Sequence, residues 1–450
     1  CNFAAQLHHN TKTEISNNKY IDFYHSTEIM RGIKAKTLIL ALFALCISAK
    51  AQKYVGGDIS LLPTYEEHGV RYLGRQGNNN QVQPLQYWAD SAKWNALRVR
   101  IFVDPSKASE QDKGEGVLQD LDYVTKLGKR IKDAGYAFML DFHYSDTWTD
   151  PGKHSTPASW NSDNPTVLAD SVYNYTRRVL NHLIANGAKP DFIQPGNEIT
   201  YGMLWPTGHC YPSGAGYGGG TWANFIKYLK AGVKACREVC PDAKIVLQTE
   251  MSRANNVPTF YNTIGSQVDY DIIGFSYYPD WHGPLANLRS VLNKLETQHA
   301  DKDIMVVETG YEAKWQIGDT YSPSQLGWEL SEEGQRQFAA DLVDELNKHP
   351  KVTGLFWWMP EDNEFWADKD PALKAWWNAS LYTQNTGKPL AAMFEMQRFL
   401  NSTPSAVEKV TTEGAKSQTS NIWYNLQGQR VSSPKAKGVY INGGRKIVVK

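Results

Sequence analysis

Eight short apolar runs, alternating with amphipathic segments, constrain this chain more than any other feature of its 450 residues. The runs are "YVGGDIS" (54–60), "ALRVRIFV" (96–103), "YAFMLDFHY" (136–144), "DFIQPGNE" (191–198), "KIVLQTE" (244–250), "YDIIGFSYY" (270–278), "DIMVVETGY" (303–311) and "VTGLFWWMP" (352–360). Most are almost continuously apolar in their first half, as parallel strands covered on both faces must be. Between them, apolar residues recur at the 3.6-residue spacing of a helix. One such set is Leu118, Leu121, Val124, Leu127 and Ile131; a second is Val172, Val179, Leu183 and Ile184. Leu285, Leu288, Val291, Leu292 and Leu295 form a third, and Phe338, Leu342, Val343 and Leu346 a fourth. Eight strand–helix alternations in roughly 350 residues predict an α/β fold, a (β/α)8 TIM barrel over 52–402.

Loop lengths indicate the working face. Connections from helix into strand are short, as in "DAGYAF" (133–138), whereas those leaving the strands are long: 145–165, 199–221, 312–330 and 361–387. Long loops at the C-terminal ends of barrel strands are where this fold carries chemistry.

The rest of the chain divides by composition. From Met30, basic Arg31, Lys34 and Lys36 precede an apolar stretch, Thr37 to Ile47, and an Ala49-Lys50-Ala51 cleavage site. Residues 30–51 therefore read as a signal peptide, with 1–29 an upstream extension. The expected location is secreted, in the periplasm or on the outer cell surface. The apolar stretch is too short to span a membrane, and Leu45 before Cys46 is too large for a lipoprotein signal. Residues 403–420 read as a polar linker, and 421–450 as a short β-rich tail similar to those some Gram-negative bacteria append to exported proteins. The 47 acidic and 47 basic side chains cancel, which speaks against a nucleic-acid partner or an anionic membrane. Fifteen Trp and 24 Tyr exceed what a core needs, and flat aromatic faces suit sugar rings. Cys210, Cys236 and Cys240 read as core thiols, with a disulfide from Cys210 left open; they do not form a metal site. A monomer is expected.

The predicted strand ends collect Asp58, Arg98, Arg100, Asp141, His143, Tyr144, Asn197, Glu198, Ser276, Tyr277, Tyr278, Glu308, Trp357 and Trp358. Glutamates on strands four and seven lie across an eight-stranded ring and face one bound bond. Sugar hydrolysis needs two such carboxyls, one protonated to supply the leaving oxygen and one ionised to attack the anomeric carbon. An arginine on strand two favours an ionised Glu308. Glu198 has a neutral neighbour, Asn197, and partial burial raises its pKa, as an acid requires. Each residue has a plainer reading: the arginines as interstrand ion pairs, His143 as a hydrogen-bonded core histidine, Trp358 as packing.

The segments "LRVRIFVDP" (97–105), "DFHYSDTWTDPGKH" (141–154), "PGNEITYGMLWPTG" (195–208), "GFSYYP" (274–279), "VVETGY" (306–311) and "GLFWWMPE" (354–361) resemble glycoside hydrolase family 53. Its members are retaining arabinogalactan endo-β-1,4-galactanases whose catalytic glutamates end strands four and seven. The resemblance covers most of 54–400. It implies Glu198 as acid/base, Glu308 as nucleophile, and β-1,4-galactan as the substrate, cut internally. It further implies chain binding by Asp150, Pro151, Gly152 and Lys153, with Trp148 nearby. Asp58, Arg98, Arg100, His143, Tyr144, Asn197, Tyr278 and Trp358 complete the expected substrate-binding set. No cofactor is expected. Some bacterial members hold a structural calcium after strands seven and eight, for which Asp319, Glu361, Asp362 and Asp368 are the candidate ligands, so the metal stays open. Two positions depart from the family pattern: Gln248 stands where a histidine is usual, and Met359 where a glutamate is common. The alternatives are another β-1,4-glycanase of the same clan, a mannanase or cellulase, or a non-catalytic glycan-binding barrel.

Overall fold

In the computed structural model the eight runs form parallel strands in a closed barrel, ordered β1 to β8 around the ring. The structure describes residues 52–75, 80–210, 221–251, 256–363 and 379–401, together with strand backbone between 423 and 449. The strands are β1 (Tyr54–Asp58), β2 (Ala96–Ile101), β3 (Ala137–Phe142), β4 (Phe192–Pro195), β5 (Lys244–Glu250), β6 (Ile272–Tyr277), β7 (Asp303–Thr309) and β8 (Val352–Trp358). The main covering helices are α1 (Pro84–Ser91), α2 (Leu121–Asp133), α3 (Pro165–Ala185), α4 (Trp222–Val239), α5 (Asn256–Ile264), α6 (Leu285–Gln298), α7 (Glu332–Leu346) and α8 (Ala391–Glu395). No described helix is long and apolar enough to cross a membrane. The expected signal peptide and linker lie outside the described residues.

Local chemistry sets the helix starts. Asp120 accepts the Tyr123 N–H at 2.9 Å, Asn164 precedes Pro165 and accepts from Thr166, and Ser331 accepts from Gly334; each satisfies an amide the first turn leaves free. The Asp120 cap starts α2 after Leu118, which stays outside the helix and 38% exposed. Ile184 also faces outward at 37%, although both fit the apolar spacing. Cys210, Cys236 and Cys240 are buried free thiols, so the disulfide left open for Cys210 is not formed.

Strand alternation builds the interior in layers. Ala96, Met139, Phe192, Val246, Ile272, Met305, Val307 and Phe356 fill the lower bore. Residues of opposite parity, such as Val99, Leu140, Leu247 and Leu355, pack outward under the helices. Two residues beyond the apolar plug, the same inward parity delivers Arg98, Asp141, Gln194, Gln248 and Trp358. Glu308 is the exception that needs a device. Phe275 pairs with Val306 and Ser276 with Glu308, so Val307 is an extra residue and the register shifts there. This bulge lets Val307 join the plug while Glu308 still turns to the barrel mouth, a way bulges commonly re-aim a side chain.

The chain forms two compact units, 1–404 and 405–450. The second holds a four-stranded antiparallel sheet of Trp423–Tyr424, Arg430–Val431, Gly438–Asn442 and Arg445–Val449.

Candidate active site

Arg98 is the centre of the polar layer. Its Nη1 donates to Asp58 Oδ2 at 2.8 Å, and its Nη2 lies 2.8 Å from both Asp141 Oδ2 and Glu308 Oε1. Nη2 also donates to Asn197 Oδ1 at 2.9 Å. Burial opposes the guanidinium charge, but Asp141, Glu308 and Asp58 outweigh it and raise its pKa. Arg98 is therefore a permanent cation under the cleft.

The two glutamates sit in different fields. Glu308 Oε1 meets Arg98 at 2.8 Å, and Oε2 accepts the Tyr278 hydroxyl at 3.0 Å. No described residue gives Glu198 such a cation. Burial first, and then the negative charge on Glu308, push its pKa well above the usual carboxylate range, with Glu250 and Asp150 adding to the effect and a Ser276 hydrogen bond opposing it. Glu198 also has φ 45°, a left-handed backbone that a non-glycine residue adopts at a cost. The turn leading to it needs Gly196: at φ 106°, a Cβ there would meet Ile199 Cγ2 at 2.6 Å.

A cleft of about 690 Å³ opens over this layer, lined by Glu198, Glu308, Arg98, Arg100, His143, Trp148, Asn197, Tyr278 and Trp358, and by Asp150, Pro151 and Lys153. Trp148 and Trp358 meet edge to face at 6.3 Å, and the Arg100 guanidinium lies 4.3 Å from the Trp148 ring centre. Asn197 is pinned by donating to Thr149 O at 2.6 Å. His143 Nδ1 accepts the Thr149 N–H at 3.0 Å, which puts the neutral ring's proton on Nε2, 3.3 Å from Asp141 Oδ2. Gly152, expected among the substrate contacts, is exposed and does not line the cleft; its N–H donates to Asp150 Oδ1 at 2.7 Å.

Two further expected substrate contacts are placed elsewhere. Asp58 is fully buried, with its oxygens taken up by Arg98, Arg100 and Ser60. Tyr144 is one residue out of phase with His143, so it points to the helices. Its ring stacks on Phe142 at 5.2 Å and its hydroxyl shares a hydrogen bond with Thr176 of α3 at 2.7 Å.

With this geometry in place, comparison with known proteins is decisive. The family profile described as "Glycosyl hydrolase family 53" matches residues 54–396. The chain belongs to this family. It is 31% identical over 335 residues to a protein of Aspergillus niger named "Arabinogalactan endo-beta-1,4-galactanase A", a match covering 72% of this chain and 89% of that one. A "Probable arabinogalactan endo-beta-1,4-galactanase A" of Neosartorya fischeri is 32% identical over 340 residues, with the same 72% and 89% coverage. The solved family 53 catalytic domain of Ignisphaera aggregans superposes with a TM-score of 0.66 at 29% identity, covering 78% of this chain and 96% of that domain. One of two solved fungal β-1,4-galactanases superposes at 0.64 with 28% identity, covering 77% and 100%.

In this family 53 glycosidase, further residues line the cleft: Asp112, Glu115, Glu250, Trp281, His282 and Thr320. Glu250 shares the parity of Val246 and Gln248 on β5, so alternation along that strand was the signal for it. Asp112 lies in a short helix, Glu110–Gly114, that Glu115 caps, within the connection after β2, and Thr320 comes from a loop; none carries such a signal. Of the candidate calcium ligands, Glu361 Oε1 accepts the Leu61 N–H at 2.9 Å and Asp362 Oδ1 the Tyr65 hydroxyl at 2.6 Å, both fully buried, while Asp319 is exposed. Asp368 lies outside the described residues. Burial, and then the charge of Asp58, push the Glu361 carboxyl up to about 8. The described candidates do not assemble into a cation site, and no group of three or more His, Cys, Asp or Glu among the described residues does.

Proposed function

We propose that this family 53 glycosidase hydrolyses internal β-1,4-galactosidic bonds of galactan, including the galactan of type I arabinogalactan, with retention at the anomeric carbon. Glu198 is the acid/base and Glu308 the nucleophile. The observation that carries this reading is the asymmetry of the pair: Arg98 lies 2.8 Å from Glu308, while burial and the Glu308 charge raise the pKa of Glu198. The galactanase names of its relatives support the substrate.

Glu198 donates its proton to the glycosidic oxygen as the Glu308 carboxylate bonds to the anomeric carbon, and the C–O bond to the leaving chain breaks. Forming the ester removes the charge on Glu308 and lowers the pKa of Glu198, which then takes a proton from water. That water attacks the anomeric carbon, freeing Glu308 and restoring the proton on Glu198. The cleft aromatics Trp148 and Trp358 stack on the sugar, and Asn197, His143 and Tyr278 hold its hydroxyls. The protein acts as a monomer, exported through its residues 30–51 address to the periplasm or the outer cell surface.

Digestion of linear β-1,4-galactan, mannan and cellulose tests the substrate, and product sizes over time test the mode of cutting. Galactan alone should be cut, with early mid-length oligosaccharides whose new reducing ends appear first as the β-anomer by proton NMR. Release of disaccharide alone from the outset, or first appearance of the α-anomer, would overturn the reading.

A further inference from the structure

One fully buried amide touches both glutamates, and the steps above assign it no part. Gln248 Oε1 accepts from Gln194 Nε2 at 2.6 Å, from the Glu198 backbone N–H at 3.2 Å and from Arg98 Nη2 at 3.2 Å. Its Nε2 donates to Glu308 Oε1 at 2.8 Å and to Ser276 Oγ at 2.9 Å. Ser276 also opposes the rise in the pKa of the Glu198 carboxyl. Three donors converge on one end of the amide and two acceptors on the other, so its orientation is fixed. Gln248 is 0% exposed and does not line the cleft.

We propose that Gln248 is a positioning residue that sets the spacing and orientation of Glu198 relative to Glu308. The proposal rests on the reading of those two residues as acid/base and nucleophile. The physical need is clear on both sides. Glu198 sits at a left-handed φ of 45°, a backbone that persists only where its surroundings over-determine it, and Gln248 holds its N–H. Glu308 stands after a β-bulge, where alternation no longer dictates its direction, and Gln248 holds its Oε1. A retaining site works only in a narrow range of carboxyl separations, about 5–5.5 Å, against about 6.5–9.5 Å for inversion. An amide suits the place because it offers donor and acceptor together and adds no charge between two carboxyls. A carboxylate there would turn an acceptor towards Glu308; a thioether would offer neither group.

Gln248→Met keeps the length and apolar stem and removes every one of these bonds. In the full chain acting on galactotetraose, kcat is expected to fall about 10- to 100-fold while KM stays within about threefold, since the residue touches no substrate. The kcat/KM–pH profile should change shape, because Glu198 and Glu308 lose the amide that fixes them relative to one another. Gln248→Glu should also lower kcat, since it turns an acceptor towards Glu308 in place of the amide donor. A folded Gln248→Met chain, by circular dichroism, with wild-type kcat and an unmoved profile would overturn the proposal, as would a rise in KM alone. If Gln248→Met does not fold, Gln248→Asn, too short to span both glutamates, is read by the same two quantities. Glu308→Ala separates the layers: if it stays active, the nucleophile assignment falls, whereas an inactive Glu308→Ala beside an unaffected Gln248→Met overturns the role of Gln248 alone.

Discussion

Arg98 and Glu308 form an ion pair at 2.8 Å in a layer where Arg98 is 1% and Glu308 8% exposed. The same guanidinium serves Asp58 through Nη1 and Asp141 through Nη2, so one cation faces three carboxylates. A buried charge is tolerable only when it is paired and hydrogen-bonded, and the barrel meets that condition by drawing its partners from β1, β3 and β7. On the proposed assignment of Glu308, the floor of the active site and the floor of the barrel are the same set of bonds.

Arg98→Met leaves those carboxylates without their cation. Removing one member of a buried pair costs about 3–5 kcal/mol, so thermal unfolding should begin many degrees lower and kcat/KM on galactan should collapse. Arg98→Lys keeps the charge but not the fork that reaches two carboxylates through separate nitrogens. It should recover part of the stability and little of the activity. Near-wild-type kcat/KM in Arg98→Lys would show that the fork geometry is not needed.

The raised pKa of Glu198 predicts the alkaline side of the pH profile. An acid works while protonated, so kcat/KM should hold beyond the ordinary carboxylate range and fall only as Glu198 loses its proton. Glu198→Ala should reduce galactan cleavage by about 10²- to 10⁴-fold. It should largely spare the first step on a dinitrophenyl galactoside, whose leaving group needs no proton. Kinetics across pH 4 to 10 on both substrates check this; an alkaline limb that survives Glu198→Ala would assign it to another group.

Much of the fold was legible because burial imposes two periods, 2 on strands and 3.6 on helices, and both stand in the sequence. The site was legible where a strand end and its parity agreed, as at Arg98, His143 and Trp358. Tyr144 was misplaced because adjacent strand residues cannot both face inward, a constraint the run "DFHY" already contained. Glu308 had the opposite problem: strict alternation from Val307 would have turned it outward, and only the β7 bulge, which has no signature in "IMVVETG", restores it. The walls from Asp112, Glu115 and Thr320 depend on the paths of the long connections after β2 and β7, which no period encodes.

Strand parity predicts opposite outcomes for two aromatics. Tyr144→Phe removes one buried hydroxyl bond to Thr176 and should cost about 1 kcal/mol of stability with KM unchanged. Trp148→Ala removes a cleft face and should raise KM for galactan by about tenfold or more, the equivalent of a lost aromatic contact of about 1.4 kcal/mol. Denaturant unfolding and initial rates on each variant decide; a raised KM in Tyr144→Phe would return that residue to the cleft.

Glu361 predicts how stability changes with pH. Burial, and then the charge of Asp58, raise its carboxyl from an ordinary 4.5 to about 8. Below about pH 4.5 both folded and unfolded chains hold this proton. Between about 4.5 and 8 the folded chain holds it and the unfolded chain does not, so the folded state binds more protons. Stability then falls as pH rises, by at most about 1.4 kcal/mol per pH unit from this one group. Glu361→Gln keeps the oxygen that accepts from Leu61 N–H and removes the titration. Urea midpoints at pH 5, 6.5 and 8 should therefore decline less in Glu361→Gln than in the wild type, with the variant gaining most at pH 8. Parallel declines in the two chains would mean that Glu361 is ionised in the folded state, with Arg100 rather than a proton balancing its charge.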